Sequence, residues 1–216
     1  MRGVADSSGR TILYVSHNMN TIRQLCDRCI VLEKGRIIYD GEVEKAIQIY
    51  LNEYSEMKTL YNVEDQKRPD WFPQKIQTHE VEFLGRDDVS FDSREPMRCA
   101  VRWTPFEDID GVLIRMTLKY CDSSSVGMNT TLTPLSARKG EMQETILTFD
   151  LSNLATGMYY GDLHFYRNTG VGGSENLDSV CPAFSFEVQN TSRETGGLTW
   201  MNTGWGCVVL PEIKVD

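Results

Sequence analysis

The hydrophobic period changes once along this chain, and that change decides what it can fold into. From residue 76 onward apolar and polar side chains alternate with period two, whereas the first sixty residues mix short apolar runs with helical spacing. The alternation is clearest where Val112, Ile114, Met116, Leu118 and Tyr120 interleave with Leu113, Arg115, Thr117 and Lys119. That is the pattern of an antiparallel strand with one face in a core and the other in water. Comparable runs at 76–84, 98–104, 143–150, 158–166, 183–188 and 206–211 are separated by turn-forming clusters, among them Asp87-Asp88, 108–111 and 170–174. About seven or eight strands with no helix of any length between them imply a mainly β fold, an antiparallel β-sandwich of the immunoglobulin or jelly-roll type. The Cys…Trp…Cys spacing of a true immunoglobulin domain is missing.

The first sixty residues read instead as an incomplete α/β fragment. Residues 11–15 (TILYV) form a continuous apolar run, the mark of a strand buried on both faces. Ser16, His17 and Asn18 follow and can cap a helix over 19–26. The runs 29–32 and 36–39 flank Glu33-Lys34-Gly35, a tight hairpin signal. Residues 42–56 place Val43, Ala46, Ile47, Tyr50 and Leu51 on one helical face. A buried parallel strand at 11–15 has no parallel neighbours to pair with, so this part is not a whole domain. The polar stretch 57–75 reads as a linker, its Pro69 and Pro73 breaking any helix. The expected organisation is therefore 1–56, a linker at 57–75, and a sandwich over 76–216.

Charge narrows the partners. The 216 residues carry a net charge of −9. Residues 1–60 hold eight basic and eight acidic side chains, and 61–216 hold 14 basic and 23 acidic, so the imbalance lies in the second part. So acidic a surface repels phosphate backbones and anionic lipid, which argues against nucleic acid and leaves neutral ligands such as sugars open. Neither an apolar run long enough to span a bilayer nor the apolar core of a signal peptide is present, so the chain is expected to stay inside the cell. Six cysteines include a single C-x-x-C, Cys26-Asp27-Arg28-Cys29, and the three histidines are scattered. No second ligand pair stands at zinc-site spacing, so no metal is expected and the cysteines read as buried thiols.

The ordered features Gly9 to Asn18 (GRTILYVSHN) and Arg28 to Gly41 (RCIVLEKGRIIYDG) resemble the last quarter of an ABC transporter nucleotide-binding domain. The resemblance implies that His17 is the switch histidine, which in that family contacts the γ-phosphate of ATP and helps position the attacking water. The G-x-x-x-x-G-K-[ST] phosphate loop, the LSGGQ-like signature and the Walker B carboxylate are absent from the sequence. The chain is therefore expected to begin partway through such a domain. ATP and Mg would belong to the longer parent ATPase, and the chain itself is expected to hold no cofactor and to be no enzyme.

ABC subunits with a β-sandwich after the ATPase are most characteristically those of O-antigen and related polysaccharide exporters, the Wzt type. Residues 76–216 resemble their carbohydrate-binding C-terminal domain through Gly157-Met158-Tyr159-Tyr160-Gly161, Asn176-Leu177-Asp178, Gly197-Leu198-Thr199-Trp200 and the run from Trp205 to Pro211. The resemblance implies recognition of an exported glycan, a homodimer, a transmembrane permease as partner, and a place on the inner face of the cell membrane. A second reading keeps the fold and makes the sandwich a dimerisation module that touches no sugar.

Sugars are held by aromatic faces against C–H groups and by polar side chains on hydroxyls. The strand at 158–166 separates into an apolar face (Tyr159, Gly161, Leu163, Phe165) and a face bearing Tyr160, Asp162, His164 and Tyr166. The second face is the candidate glycan surface, with Arg115, Thr117 and Lys119 as neighbours from another strand. A plain solvated face or a dimer interface would look the same in sequence. Trp200 and Trp205 flank a turn and suit either stacking platforms or core anchors, while Trp103 alternates with Cys99 and Val101 as core. Asp162 has no partner carboxylate whose position the sequence fixes, and Asp87-Asp88 and residues 108–110 fall in turn-like stretches, so glycoside hydrolysis is not expected.

Overall fold

The period-two region folds as expected into two facing sheets. The structure is a computed structural model that describes residues 12–15, 21–22, 25–52, 58–170, 172–189 and 206–210. The chain divides into two units, residues 1–56 with 121–124, and residues 57–120 with 125–216.

In the smaller unit, strands β1 (Cys29–Glu33) and β2 (Arg36–Gly41) form an antiparallel hairpin. Lys34 and Gly35 turn it with φ of 47° and 79°, the left-handed pair that a two-residue hairpin turn requires. Helix α1 (Val43–Asn52) follows. Its Ile47 packs with Ile22, and Cys26, Cys29, Val43 and Tyr50 complete a small core. The expected buried strand at 11–15 is corrected by the structure. Residues 12–15 take no regular secondary structure, and Leu13 and Val15 are 86% and 96% exposed. A β-branched run cannot form a strand without a neighbour to bond, and no described strand pairs with it. Within the expected helix at 19–26, Thr21, Ile22 and Leu25 are helical.

The larger unit is a β-sandwich. One sheet has the order β10-β6-β4-β3, built from β3 (Leu60–Asn62), β4 (Ile76–Phe83), β6 (Met97–Pro105) and β10 (Gln143–Phe149). The other runs β5-β12-β11-β7-β8, from β5 (Ser90–Asp92), β7 (Ile109–Tyr120), β8 (Ser125–Thr130), β11 (Gly157–Asn168) and β12 (Ser174–Gln189). Strand β9 (Leu135–Ala137) pairs with the start of β7. All pairings are antiparallel except β5 with β12.

The core is aromatic where the sheets meet. Trp103 of β6 meets Phe165 of β11 with ring centroids 5.3 Å apart, and Phe83 of β4 meets Phe184 of β12 at 5.5 Å. Val112, Ile114, Met116, Leu118 and Tyr120 are all buried, as their alternation predicts. Gly161 is required by packing, since a Cβ there would lie 2.4 Å from the Phe184 ring.

Residues 57–75 belong with this larger unit. Tyr61 of β3 donates its hydroxyl hydrogen to the Ser185 carbonyl at 2.9 Å, and Val63 is fully buried. Arg68 reaches Asp178 at 2.8 Å. Asp178 is wholly buried and also accepts from the Thr78 amide (2.9 Å) and hydroxyl (2.6 Å) and from the Ser179 amide (2.8 Å). Of the expected strand at 206–211, the described residues 206–210 form a single bridge, between Val208 and Leu154, and 211 lies outside the described residues.

Candidate functional site

Pairing of β11 with β7 and β12 assembles the candidate surface. On the outward side of β11, Tyr160 lies opposite Lys119, Asp162 opposite Thr117, and His164 opposite Arg115. From β12, Ser179 stands opposite His164. Residues far apart in sequence thus share one sheet face, as cross-strand register demands.

The members are linked in pairs. Lys119 Nζ sits 2.6 Å from Asp162 Oδ2. His164 Nδ1 lies 2.9 Å from Ser179 Oγ. The Arg115 guanidinium lies 5.3 Å from the centre of the Tyr166 ring, a cation–π contact. The Tyr166 hydroxyl is 2.6 Å from Thr130 Oγ1 on β8. This face is less open than alternation alone implies. Asp162 is 4% and Tyr166 9% exposed, while Tyr160, His164, Arg115, Thr117 and Lys119 are half-buried. Asp162 lies beneath its lysine and Tyr166 beneath its arginine, so long cationic side chains cover the two shorter positions. Asp162 and Tyr166 therefore hold and aim Lys119 and Arg115.

Burial lowers the pKa of His164, and the nearby Arg115 adds to the effect, so its ring stays neutral near pH 7. Ser179 engages Nδ1, which leaves Nε2 for another partner. The face thus presents two cations, an imidazole edge and the body of Tyr160, within a domain whose overall charge is strongly negative.

Sequence reasoning missed Cys181. Between Gly161, opposite Phe184, and Leu163, opposite Val180, the single residue Asp162 faces the three residues Cys181, Pro182 and Ala183. Proline lacks the amide hydrogen that a regular ladder needs, and the Cys181-Pro182 dipeptide was the available signal for this bulge. It brings a ligand atom of Cys181 within 4.8 Å of ligand atoms of Asp162 and His164. The residue as a whole is exposed, yet desolvation around its sulfur, followed by the Asp162 charge, pushes its thiol up to about 11. Ser179 and Thr130, which hold His164 and Tyr166, also went unremarked in the sequence.

His17, Trp200 and Trp205 lie outside the described residues. Trp103 is 1% exposed and belongs to the core, as expected. The opposite outer face, on the sheet of β4, β6 and β10, is a charge network in which Arg102 binds Glu80 (2.8 Å), Glu82 (2.8 Å) and Glu144 (3.0 Å). Among the described residues no helix is long and apolar enough to cross a membrane.

Comparison with known proteins agrees with both parts of the chain. No family model matches. Over 42 residues the chain is 45% identical to the O-antigen export system ATP-binding protein RfbB of Klebsiella pneumoniae, a match covering 19% of this chain and 17% of that one. It is 31% identical over 102 residues to an uncharacterized ABC transporter ATP-binding protein of Methanocaldococcus jannaschii, covering 44% and 18%. The matches thus span under a fifth of these curated relatives. Among solved structures, the C-terminal domain of wzt superposes with a TM-score of 0.55 at 12% identity, over 72% of this chain and 92% of that one. At that identity the likeness concerns the fold. The chain therefore couples a segment similar to ABC transporter ATP-binding proteins, an O-antigen exporter's among them, to a β-sandwich with the fold of the Wzt C-terminal domain.

Proposed function

We propose that the outward face of the β11–β7 pair recognises a glycan, and that in a longer protein this recognition serves ATP-driven polysaccharide export. The observation that carries the reading is the set formed by Tyr160, His164, Arg115 and Lys119, half-buried on one sheet face and held from behind by Asp162, Tyr166 and Ser179. Such an array suits a sugar chain. The Tyr160 ring offers a surface for C–H groups, the two cations donate to hydroxyls or acidic substituents, and His164 Nε2 adds a donor or acceptor. Fixing these groups before the ligand arrives limits the entropy lost on binding. The fold and the O-antigen exporter relative support the assignment.

No catalytic step is assigned to the chain. ATP and Mg would act on a phosphate loop that this sequence does not contain, with His17 as the switch histidine. In the whole exporter the partners would be a transmembrane permease and a second copy of the subunit, and the place of action the cytoplasmic side of the membrane.

Calorimetric titration with oligosaccharides from the source cell's own O-antigen tests the reading. Tyr160→Ala and Arg115→Ala should each weaken binding by about 1–3 kcal/mol. If both variants bind as tightly as the parent chain, the glycan lies elsewhere.

A further inference from the structure

The sheet face also gathers a mixed set of metal-binding donors, in which Cys181 joins His164 and Asp162 of the proposed sugar face. A carboxylate oxygen of Asp162, a ring nitrogen of His164 and the sulfur of Cys181 all lie within 4.8 Å of one another. In a tetrahedral zinc site with bonds of about 2.0–2.3 Å, ligand atoms stand closer than this, so closure asks each side chain to move by roughly 1 Å or less. The required freedom exists, because Cys181 sits on a bulge and is exposed. The His164 Nδ1 lies 2.9 Å from Ser179 Oγ, the kind of supporting contact that a metal-bound histidine commonly has on the ring nitrogen away from the ion, and coordination through Nε2 would keep it. The carboxylate already faces a cation, Lys119 Nζ at 2.6 Å, and that lysine is 39% exposed and can swing into solvent.

We infer that Asp162, His164 and Cys181 form a binding site for a divalent cation of borderline softness, Zn2+ in the first instance, with Lys119 as the built-in competitor. One carboxylate, one imidazole and one thiolate match the donor preferences of zinc and disfavour magnesium and calcium, which take oxygen. Binding transfers the Cys181 thiol proton to solvent as the metal–thiolate bond forms, and it displaces the Lys119 ammonium from Asp162. Three protein ligands leave a fourth position open on the outward face. The site does not depend on the glycan reading, because it is tested without sugar.

Cobalt(II) is the probe, added to the reduced full chain while the near-ultraviolet thiolate-to-cobalt band is followed, with Zn2+ then displacing it. The proposal predicts a saturable band that disappears in Cys181→Ser and persists in Cys26→Ser, which removes the competing C-x-x-C pair. Ser179→Ala should weaken cobalt binding by about 10–100-fold through loss of histidine orientation. Lys119→Met should strengthen it by up to about fivefold by removing the competitor. A merely structural lysine would give no gain. Absence of a band, or a band that survives Cys181→Ser, overturns the assignment.

Discussion

Asp178 shows how far one buried charge can organise its surroundings. It is wholly inaccessible, and the Arg68 side chain that neutralises it is only 8% exposed, so neither charge has water to fall back on. Asp178→Ala removes the carboxylate that neutralises Arg68, which keeps the Val63, Gln66 and Thr78 carbonyls, and leaves the Thr78 amide and hydroxyl and the Ser179 amide without this acceptor. Breaking one side of such a pair is expected to cost about 3–5 kcal/mol, read as a shift in the urea unfolding curve. The core at Phe165 works through shape alone. Phe165 is fully buried against Trp103, and Phe165→Ala should cost roughly 3–5 kcal/mol by the same measurement. Gly161 is the converse case. Its missing Cβ makes room for Phe184, itself 1% exposed, so Gly161→Ala should destabilise by about 1–3 kcal/mol through overpacking. Its effect on glycan affinity should stay small in the fraction that remains folded.

At the level of elements, the short strand β3 and the chain up to Ile76 behave as part of the sandwich. Their polar composition and two prolines read as a linker, because a three-residue strand carries no periodic signal and an ion pair with a residue 110 positions away leaves no local trace. The consequence is measurable. A fragment starting at residue 76 should unfold at markedly lower urea than one starting at residue 57, since it lacks Tyr61, Val63 and Arg68. The central strands were legible because their inward positions are large and apolar, as with β4, β6, β7 and β11. Strands β5, β8 and β9 were not, being short edge pieces such as Ser125–Thr130 with almost no apolar alternation. The site was half legible. The face bearing Tyr160 and His164 follows from strand period, and its neighbours Arg115 and Lys119 follow from β7. The burial of Asp162 and Tyr166, and the arrival of Cys181, depend on register and on a bulge, which a single sequence does not encode locally.

At the scale of the whole molecule, the chain divides into two units of unlike architecture. The smaller leaves Ile30, Leu32 and Ile37 at least half exposed on its hairpin, and no described strand pairs with 12–15. Without a phosphate loop the 216-residue chain should show no saturable ATP binding in calorimetry. Micromolar affinity that His17→Ala abolishes would reverse that expectation. Among the described strands β8 and β10 are sheet edges, which can pair with another copy, and a homodimer is the mass expected from light scattering at micromolar concentration. The central claim concerns the outward face of β11 and β7. It is tested most directly by backbone amide chemical-shift mapping of the chain titrated with oligosaccharides of the source cell's O-antigen. The account predicts saturable shifts concentrated at Arg115, Lys119, Tyr160 and His164, with Glu80, Arg102 and Glu144 on the opposite face unmoved. Shifts confined to that opposite face, or none at saturating sugar, would contradict it.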